Sequence, residues 1–245
     1  SWLTTVLLNH EAKITGISKD TGETNGLFKI LKIKKDIHFK LLDLAHEKKT
    51  ANFLKGKNFD IIIHLAAEPL VYDGYKNPNK VIKNNIFSTI NLFNYIKNKK
   101  TFLINFTTDK VYFNDNKNHK YFTENDILYG EDPYSFSKVV TDMMGKMWSH
   151  NFKPTKIINV RCGNVIGGAD WKQKRLIPDI IKNHYQKKKL DIRNLNSTRP
   201  WVHILEVSNI LLLLIHKKFN KNFQFDVFNI SPNIGGEKNV KWIIN

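Results

Sequence analysis

Short β-branched or apolar runs recur along the chain at Lys13–Ser18, Ile37–Leu42, Asp60–Leu65, Thr101–Thr107, Thr155–Arg161 and Phe225–Ile230. Each predicts a strand. Between them, apolar positions at helical spacing predict helices over Lys48–Leu54, Pro78–Lys97, Tyr134–Ser149, Leu176–Lys187 and Glu206–Phe219. The chain opens on a further helical stretch, Ser1–Leu8, with Trp2, Leu3, Val6 and Leu7 on one face. Strands that are apolar almost throughout and that alternate with helices predict an α/β fold with a parallel, doubly wound sheet. No internal repeat, low-complexity tract or linker interrupts this alternation. The polar stretch Tyr112–Asp132 has the composition of an active-site loop.

Composition changes the picture in three places. A chain of 245 residues, 41% hydrophobic, can bury a sizeable core. Its longest dense apolar run, Ile210–Ile215, is far shorter than a bilayer span, and Ser1–Glu11 has no basic segment of the signal-peptide kind. The single cysteine, Cys162, excludes an internal disulfide and a zinc site built on paired cysteines, and it fits a reducing cytoplasm. The net charge of +17 raises the question of nucleic acid or anionic membrane as a partner. Only four of the 39 basic residues are Arg (Arg161, Arg175, Arg193, Arg199), and the lysines are scattered. That pattern predicts solvated lysine faces rather than a phosphate-reading surface, with some pull on an anionic small molecule.

The candidate chemistry begins with Tyr134-Ser-Phe-Ser-Lys138. Spacing of four residues puts Tyr and Lys on one helical face, where a lysine cation would lower the tyrosine pKa and create a base for a hydroxyl. Chance alone yields about one such pair in so Lys-rich a chain. The chain has four: Tyr72/Lys76, Tyr95/Lys99, Tyr134/Lys138 and Tyr185/Lys189. Only Tyr134/Lys138 follows a proline that can start a helix (Pro133), carries two small serines, and lies downstream of a strand that ends in polar residues. Those residues are Thr107-Thr108-Asp109-Lys110, at the carboxyl end of a parallel strand where open α/β sheets place ligands. They can bind a hydroxyl, pass a proton and, if the lysine is held neutral, act as a base; they can equally cap a turn. Asp60–Ala67 ends another strand. Ala66 and Ala67 would let a cofactor approach the backbone, whereas His64 reads as a hydrogen-bonded structural histidine. Asn85, on the helix that follows, either bonds backbone or is exposed.

In order along the chain these segments resemble the CDP-glucose 4,6-dehydratases, members of the extended short-chain dehydrogenase/reductases. His64-Leu-Ala-Ala-Glu-Pro-Leu-Val71 is similar to their His-Leu-Ala-Ala-Gln-Pro-Leu-Val stretch. Thr107–Lys110 matches a Thr-Ser/Thr-Asp-Lys motif, and the dTDP-glucose enzymes usually carry Glu at the position of Lys110. Arg161-Cys-Gly-Asn-Val-Ile-Gly-Gly-Ala-Asp-Trp171 is the most specific match, followed by Arg175-Leu-Ile-Pro-Asp179 and Thr198-Arg-Pro-Trp-Val-His203. Glu68, Tyr72, Ser88 and Cys162 depart from the usual Gln, Arg, Gly and Ala.

The resemblance implies a Rossmann-type sheet with NAD as cofactor. The strand and glycine-rich turn that precede the first helix in such a fold are not seen before Ser1–Leu8, and Gly167-Gly168 and Gly235-Gly236 lie elsewhere. The chain therefore reads as lacking its first strand, and its end also comes early for the family. Residues 1–165 would form the cofactor-binding region and 166–245 mainly the substrate-binding region, interleaved with the last sheet elements. NAD would be held by Asp20, Asp43, Leu44, Ala66, Ala67, Tyr134 and Lys138, and the nucleotide sugar by Asn164, Arg175 and Arg199. In the implied reaction Tyr134 takes the C4 hydroxyl proton as hydride passes to NAD, and Thr108 binds that hydroxyl. Asp109 protonates the departing 6-hydroxyl, and Lys110 is the base at C5. A homo-oligomeric, cytoplasmic enzyme without a metal is expected. Other nucleotide-sugar dehydratases, a 4-epimerase, a non-catalytic nucleotide-binding remnant and a basic nucleic-acid binder stay open as alternatives.

Overall fold

The computed structural model describes residues 1–115, 121–172, 174–189, 192, 194–219, 221 and 223–244. Helix α1 (Trp2–Asn9) leads into strand β1 (Thr15–Ser18), then α2 (Leu27–Ile30), β2 (His38–Leu41), α3 (Glu47–Leu54) and β3 (Ile61–His64). Helices α4 (Val71–Lys76) and α5 (Pro78–Ile96) precede β4 (Phe102–Thr108), and α6 (Pro133–Asn151) precedes β5 (Lys156–Cys162) and β6 (Asn164–Ile166). The chain continues through α7 (Leu176–Tyr185), β7 (Thr198–Arg199), β8 (Trp201–His203), α8 (Ile204–Lys218), β9 (Phe225–Ile230), β10 (Lys238–Asn239) and α9 (Val240–Ile244). All six predicted strands and all six predicted helices are found, with ends shifted by a few residues.

Strands β3, β4, β5 and β9 pair in that order, all parallel. Alternate residues of β4 feed two cores, because strand side chains point to opposite faces. Phe102 and Ile104 join Ile158 and Val160 under Leu3 of α1 and Val207, Leu211 and Leu214 of α8. Leu103 joins Ile157 under Leu54 of α3 and Leu92, Phe93 and Ile96 of α5. Helices thus cover both faces, as in a doubly wound fold.

Strands β1 and β2 form a separate parallel pair, and among the described residues no ladder joins β1 to β3. The sheet expected to lack one strand is therefore a sheet in two parts. The difference shows in burial. Six of the seven residues of β4 are buried, whereas β1 is half-buried throughout and β2 is mostly exposed.

Two short pairings escape a sequence reading: β6 with β8, parallel, and β7 with β10, antiparallel. Strands of two or three residues carry no readable period. Of the loop Tyr112–Asp132, residues 116–120 lie outside the described residues; the remainder is tied back by an isolated bridge between Tyr112 and Leu128. Among the described residues no helix is long and apolar enough to cross a membrane, and no three His, Cys, Asp or Glu side chains are placed to hold a metal.

Candidate active site

Helix α6 starts where the site needs it because Asp132 caps it. Its Oδ1 accepts the Tyr134 and Ser135 amides at 2.9 and 3.0 Å, and Pro133 occupies the first turn, where a missing N–H costs nothing. Tyr134 and Lys138 follow one turn apart, packed against the carboxyl ends of β3 and β4.

Thr108 ends β4 and caps the short turn Asp109–Val111. Its hydroxyl donates to Asp109 Oδ1 at 3.0 Å and accepts the Lys110 amide at 3.3 Å. Tyr134 neighbours both groups, since Thr108 and Asp109 each act on its pKa, so the three side chains stand together at the end of β4. Burial raises the Asp109 pKa above the usual carboxylate range, although the Thr108 bond and the charges of Lys110 and Arg199 oppose it. Arg175 adds positive charge beside Tyr134. Its guanidinium is held by Asp170 at 2.5 Å, part of the Arg161–Trp171 segment.

One expectation is corrected here. Tyr134 is not lowered by Lys138. Burial pushes its pKa up to about 12, with Asp109 and Asp132 adding to the effect and Thr108 and Arg175 opposing it. The lysine shares the helical face, but its Nζ donates to the Phe106 carbonyl at 2.9 Å. Fully buried, Lys138 is itself lowered to about 8, with Asp142 resisting. Lys110, beside Asp109, lies exposed.

Five of the seven residues expected around a cofactor converge on one groove, which Tyr134 and Lys138 do not line. Asp20, Asp43, Leu44, Ala66 and Ala67 line a cavity of about 270 Å³ between the carboxyl ends of β1, β2 and β3. Asp20 Oδ1 accepts the Gly22 amide and Asp43 Oδ1 the Ala45 amide, each at 2.9 Å. Each carboxylate is thereby oriented while its second oxygen stays free for a ribose-type diol. Small Ala66 and Ala67 complete a wall that a flat ligand can approach. This donor set fits a dinucleotide.

Several residues here were not singled out by sequence. Lys19 pairs with Glu68 across the groove, linking the two parts of the sheet. Asn84 donates to Glu68 Oε1 at 3.1 Å, and Lys172 and Ser88 also line the cavity. Asn85 proves buried: it accepts the Glu68 amide at 2.7 Å and donates to Ser137 Oγ at 2.9 Å, joining the groove wall to the Tyr/Lys helix. His64 is structural, as expected. The Thr89 hydroxyl donates to the Asn85 carbonyl, so His64 Nε2 must donate to Thr89 at 3.0 Å, leaving Nδ1 a buried acceptor without a partner. Burial, with the nearby Lys138 charge, lowers its pKa to about 3, so the ring is neutral.

Asn164 lies in β6, paired in register with Trp201, and makes no side-chain bond to the residues above. The remaining Tyr/Lys pairs are peripheral. Lys76 and Lys99 stack on Tyr72 and Tyr95 at 4.9 and 4.7 Å, and Tyr185 is 82% exposed.

The sequence profile of the NAD dependent epimerase/dehydratase family matches residues 1–231. The CDP-glucose 4,6-dehydratase of Salmonella typhimurium is 30% identical over 100% of this chain and 71% of its own length. The dTDP-D-glucose 4,6-dehydratase of Dictyostelium discoideum is 27% identical over 81% of this chain and 49% of its own. Among solved structures, UDP-glucose 4-epimerase of Thermotoga maritima superposes with a TM-score of 0.84 at 18% identity, covering 99% of this chain and 76% of that one. dTDP-glucose 4,6-dehydratase of Bacillus anthracis, in complex with NAD, gives 0.81 at 24%, covering 99% and 74%. The two structures share the fold; the profile and the match to the Salmonella enzyme along the whole of this chain go further, and the chain belongs to the NAD-dependent epimerase/dehydratase family, whose cofactor is NAD.

Proposed function

We propose that the protein is a nucleotide-sugar 4,6-dehydratase acting on CDP-glucose. The observation that carries this reading is the grouping of Tyr134 with the hydrogen-bonded pair Thr108–Asp109, with Asp109 held protonated more readily than an ordinary carboxyl. When bound, NAD would supply reversible hydride transfer to and from the sugar. Asp20, Asp43, Leu44, Ala66 and Ala67 would hold it, with Tyr134 and Lys138. Tyr134 takes the C4 hydroxyl proton, a step that the Arg175 charge eases and burial opposes. Thr108 orients that hydroxyl. Asp109, raised by burial, gives its proton to the departing 6-hydroxyl, which is the task of a general acid near neutral pH. Lys110 stands next to it as the C5 base. Arg175 and Arg199 bind the diphosphate and Asn164 the sugar. CDP as the nucleotide is supported by the similarity to the Salmonella enzyme along the whole of this chain and by Lys110. Residues 1–165 serve the cofactor and 166–245 mainly the substrate. An exposed apolar row on α6, formed by Phe136, Met143 and Met147, supports a second copy as partner.

Mass-spectrometric turnover with added NAD tests the reading, with CDP-glucose, dTDP-glucose, UDP-glucose and GDP-mannose offered separately. Loss of one water from CDP-glucose alone is expected. Inversion at C4, which leaves the mass unchanged and is read by proton NMR of the same mixtures, would make the protein an epimerase, for which Asp109 has no proton to deliver. No change in any substrate would overturn the catalytic reading.

A further inference from the structure

Behind the catalytic turn lies a buried polar junction that no step of the reaction uses. Asp142 sits on α6 one turn beyond Lys138 and two beyond Tyr134. Its carboxylate receives Arg161 in two bonds, Nε to Oδ2 at 3.0 Å and Nη2 to Oδ1 at 2.7 Å, and both side chains are almost wholly buried. Oδ2 also accepts the Thr107 hydroxyl at 3.0 Å. Arg161 Nη1 donates to the Tyr112 hydroxyl at 3.0 Å and to the Glu124 carbonyl at 2.9 Å. Tyr112 in turn donates to Asn229 Oδ1 at 2.6 Å, and Glu124 Oε1 accepts the Asn229 amide at 2.7 Å.

One carboxylate and one guanidinium thus tie together the carboxyl ends of β4, β5 and β9, helix α6, and the loop after the catalytic turn. A buried ion pair is weak evidence for stability, since a well-packed apolar replacement often does as well. What such a junction supplies is a defined geometry. It fixes Thr107, the residue before Thr108, against the helix that carries Tyr134.

We propose that Asp142 is a positioning residue of the active site, acting on Thr108 and Asp109 through Thr107 and on Lys138 through its charge. The proposal rests on the dehydratase reading. The groups facing Lys138 are His64 on β3, the Phe106 carbonyl on β4, Tyr134 and Asp142 on its own helix, and Arg161 on β5 beyond Asp142. Of these, His64 is neutral and Asp142 is the charge that supports the ammonium against burial.

Two variants test this. Thr107→Val leaves the Arg161–Asp142 pair intact. It should lower kcat about tenfold with KM and NAD affinity within about twofold, as a small misplacement of reacting groups does. Asp142→Asn should move the alkaline loss of NAD binding, followed by calorimetry across pH, to lower pH, because Lys138 loses its supporting charge. Asp142→Glu should restore part of that shift. If both variants bring a lower melting temperature with unchanged kcat and an unchanged pH midpoint, Asp142 is structural only and the proposal is wrong. Should Asp142→Asn not fold, Thr107→Val and Asp142→Glu decide by the same readouts. A wild-type protein that binds NAD but turns over none of the four sugars would sink the dehydratase reading, whereas the pH midpoint of NAD binding would still test Asp142.

Discussion

The two parts of the sheet are built by different means. Around β4 and β5, apolar side chains fill both faces, and a buried network of Asn105, Asn159, Asp142 and Arg161 locks the strands to α6. Gly145 allows that close approach, since a Cβ there would lie 2.5 Å from Asn159 Oδ1. Around β1 and β2 the side chains are half-buried or exposed, and the pair is linked to the rest across the groove by Lys19 and Glu68, with Lys19 46% exposed. The reacting groups stand on the rigid part, and the groove lies at the seam. Chemistry needs reacting atoms held to a fraction of an ångström, whereas a groove that admits a long ligand can yield.

Five substitutions probe this contrast. The largest effect is expected at Asp109→Asn on the rigid side. Water loss should slow by about 10² to 10⁴, the usual contribution of a positioned acid. Stability at neutral pH should rise, because a carboxyl raised by burial destabilises the fold once pH passes above its unfolded pKa. Equal dehydration rates in mutant and wild type would remove Asp109 from the mechanism.

Next comes a pair of truncations that compares the two parts directly. Leu103→Ala, fully buried in β4, should cost about 2–5 kcal/mol in urea unfolding. Leu41→Ala, 57% exposed in β2, should stay within about 0.5 kcal/mol. Similar losses at both positions would erase the distinction.

Lys138→Met should slow turnover, by less than Asp109→Asn does, and raise the melting temperature at pH 7. The folded pKa of about 8 lies below the ordinary 10.5, so the unfolded chain holds more protons between those values. Wild-type stability therefore rises with pH through that window, and the penalty is fully present below it. The variant should lose that slope; if the slope persists, Lys138 is not the group responsible.

The smallest effect belongs to the seam. Glu68→Gln should cost less than about 1 kcal/mol, and the cost should vanish in high salt, as for other partly exposed ion pairs. A larger, salt-insensitive loss would show that the seam is as tightly built as the core.

The legibility of the chain follows the same division. Strands β3, β4, β5 and β9 could be placed from sequence because continuous apolar runs are a local property, and so could the Tyr134–Lys138 helix, which announces itself by Asp132 and Pro133. The convergence of Asp20, Asp43, Ala66 and Ala67 was legible too, the two aspartates through the family resemblance and the two alanines because they follow a strand of a parallel sheet. Lys19, Asp142 and Asn159 carried no signal, since a lone charged or amide residue looks alike whether it meets solvent or a buried partner.

The sequence by itself determined the order of elements, the polar strand ends and the family, all of which depend on neighbours along the chain. Only the tertiary structure decided protonation and connection. It turned Lys138 toward the Phe106 carbonyl and raised Tyr134 to about 12. It also put Arg161 into Asp142 and split the sheet at β1 and β3. Burial and distance set these properties, and both arise from residues far apart in sequence.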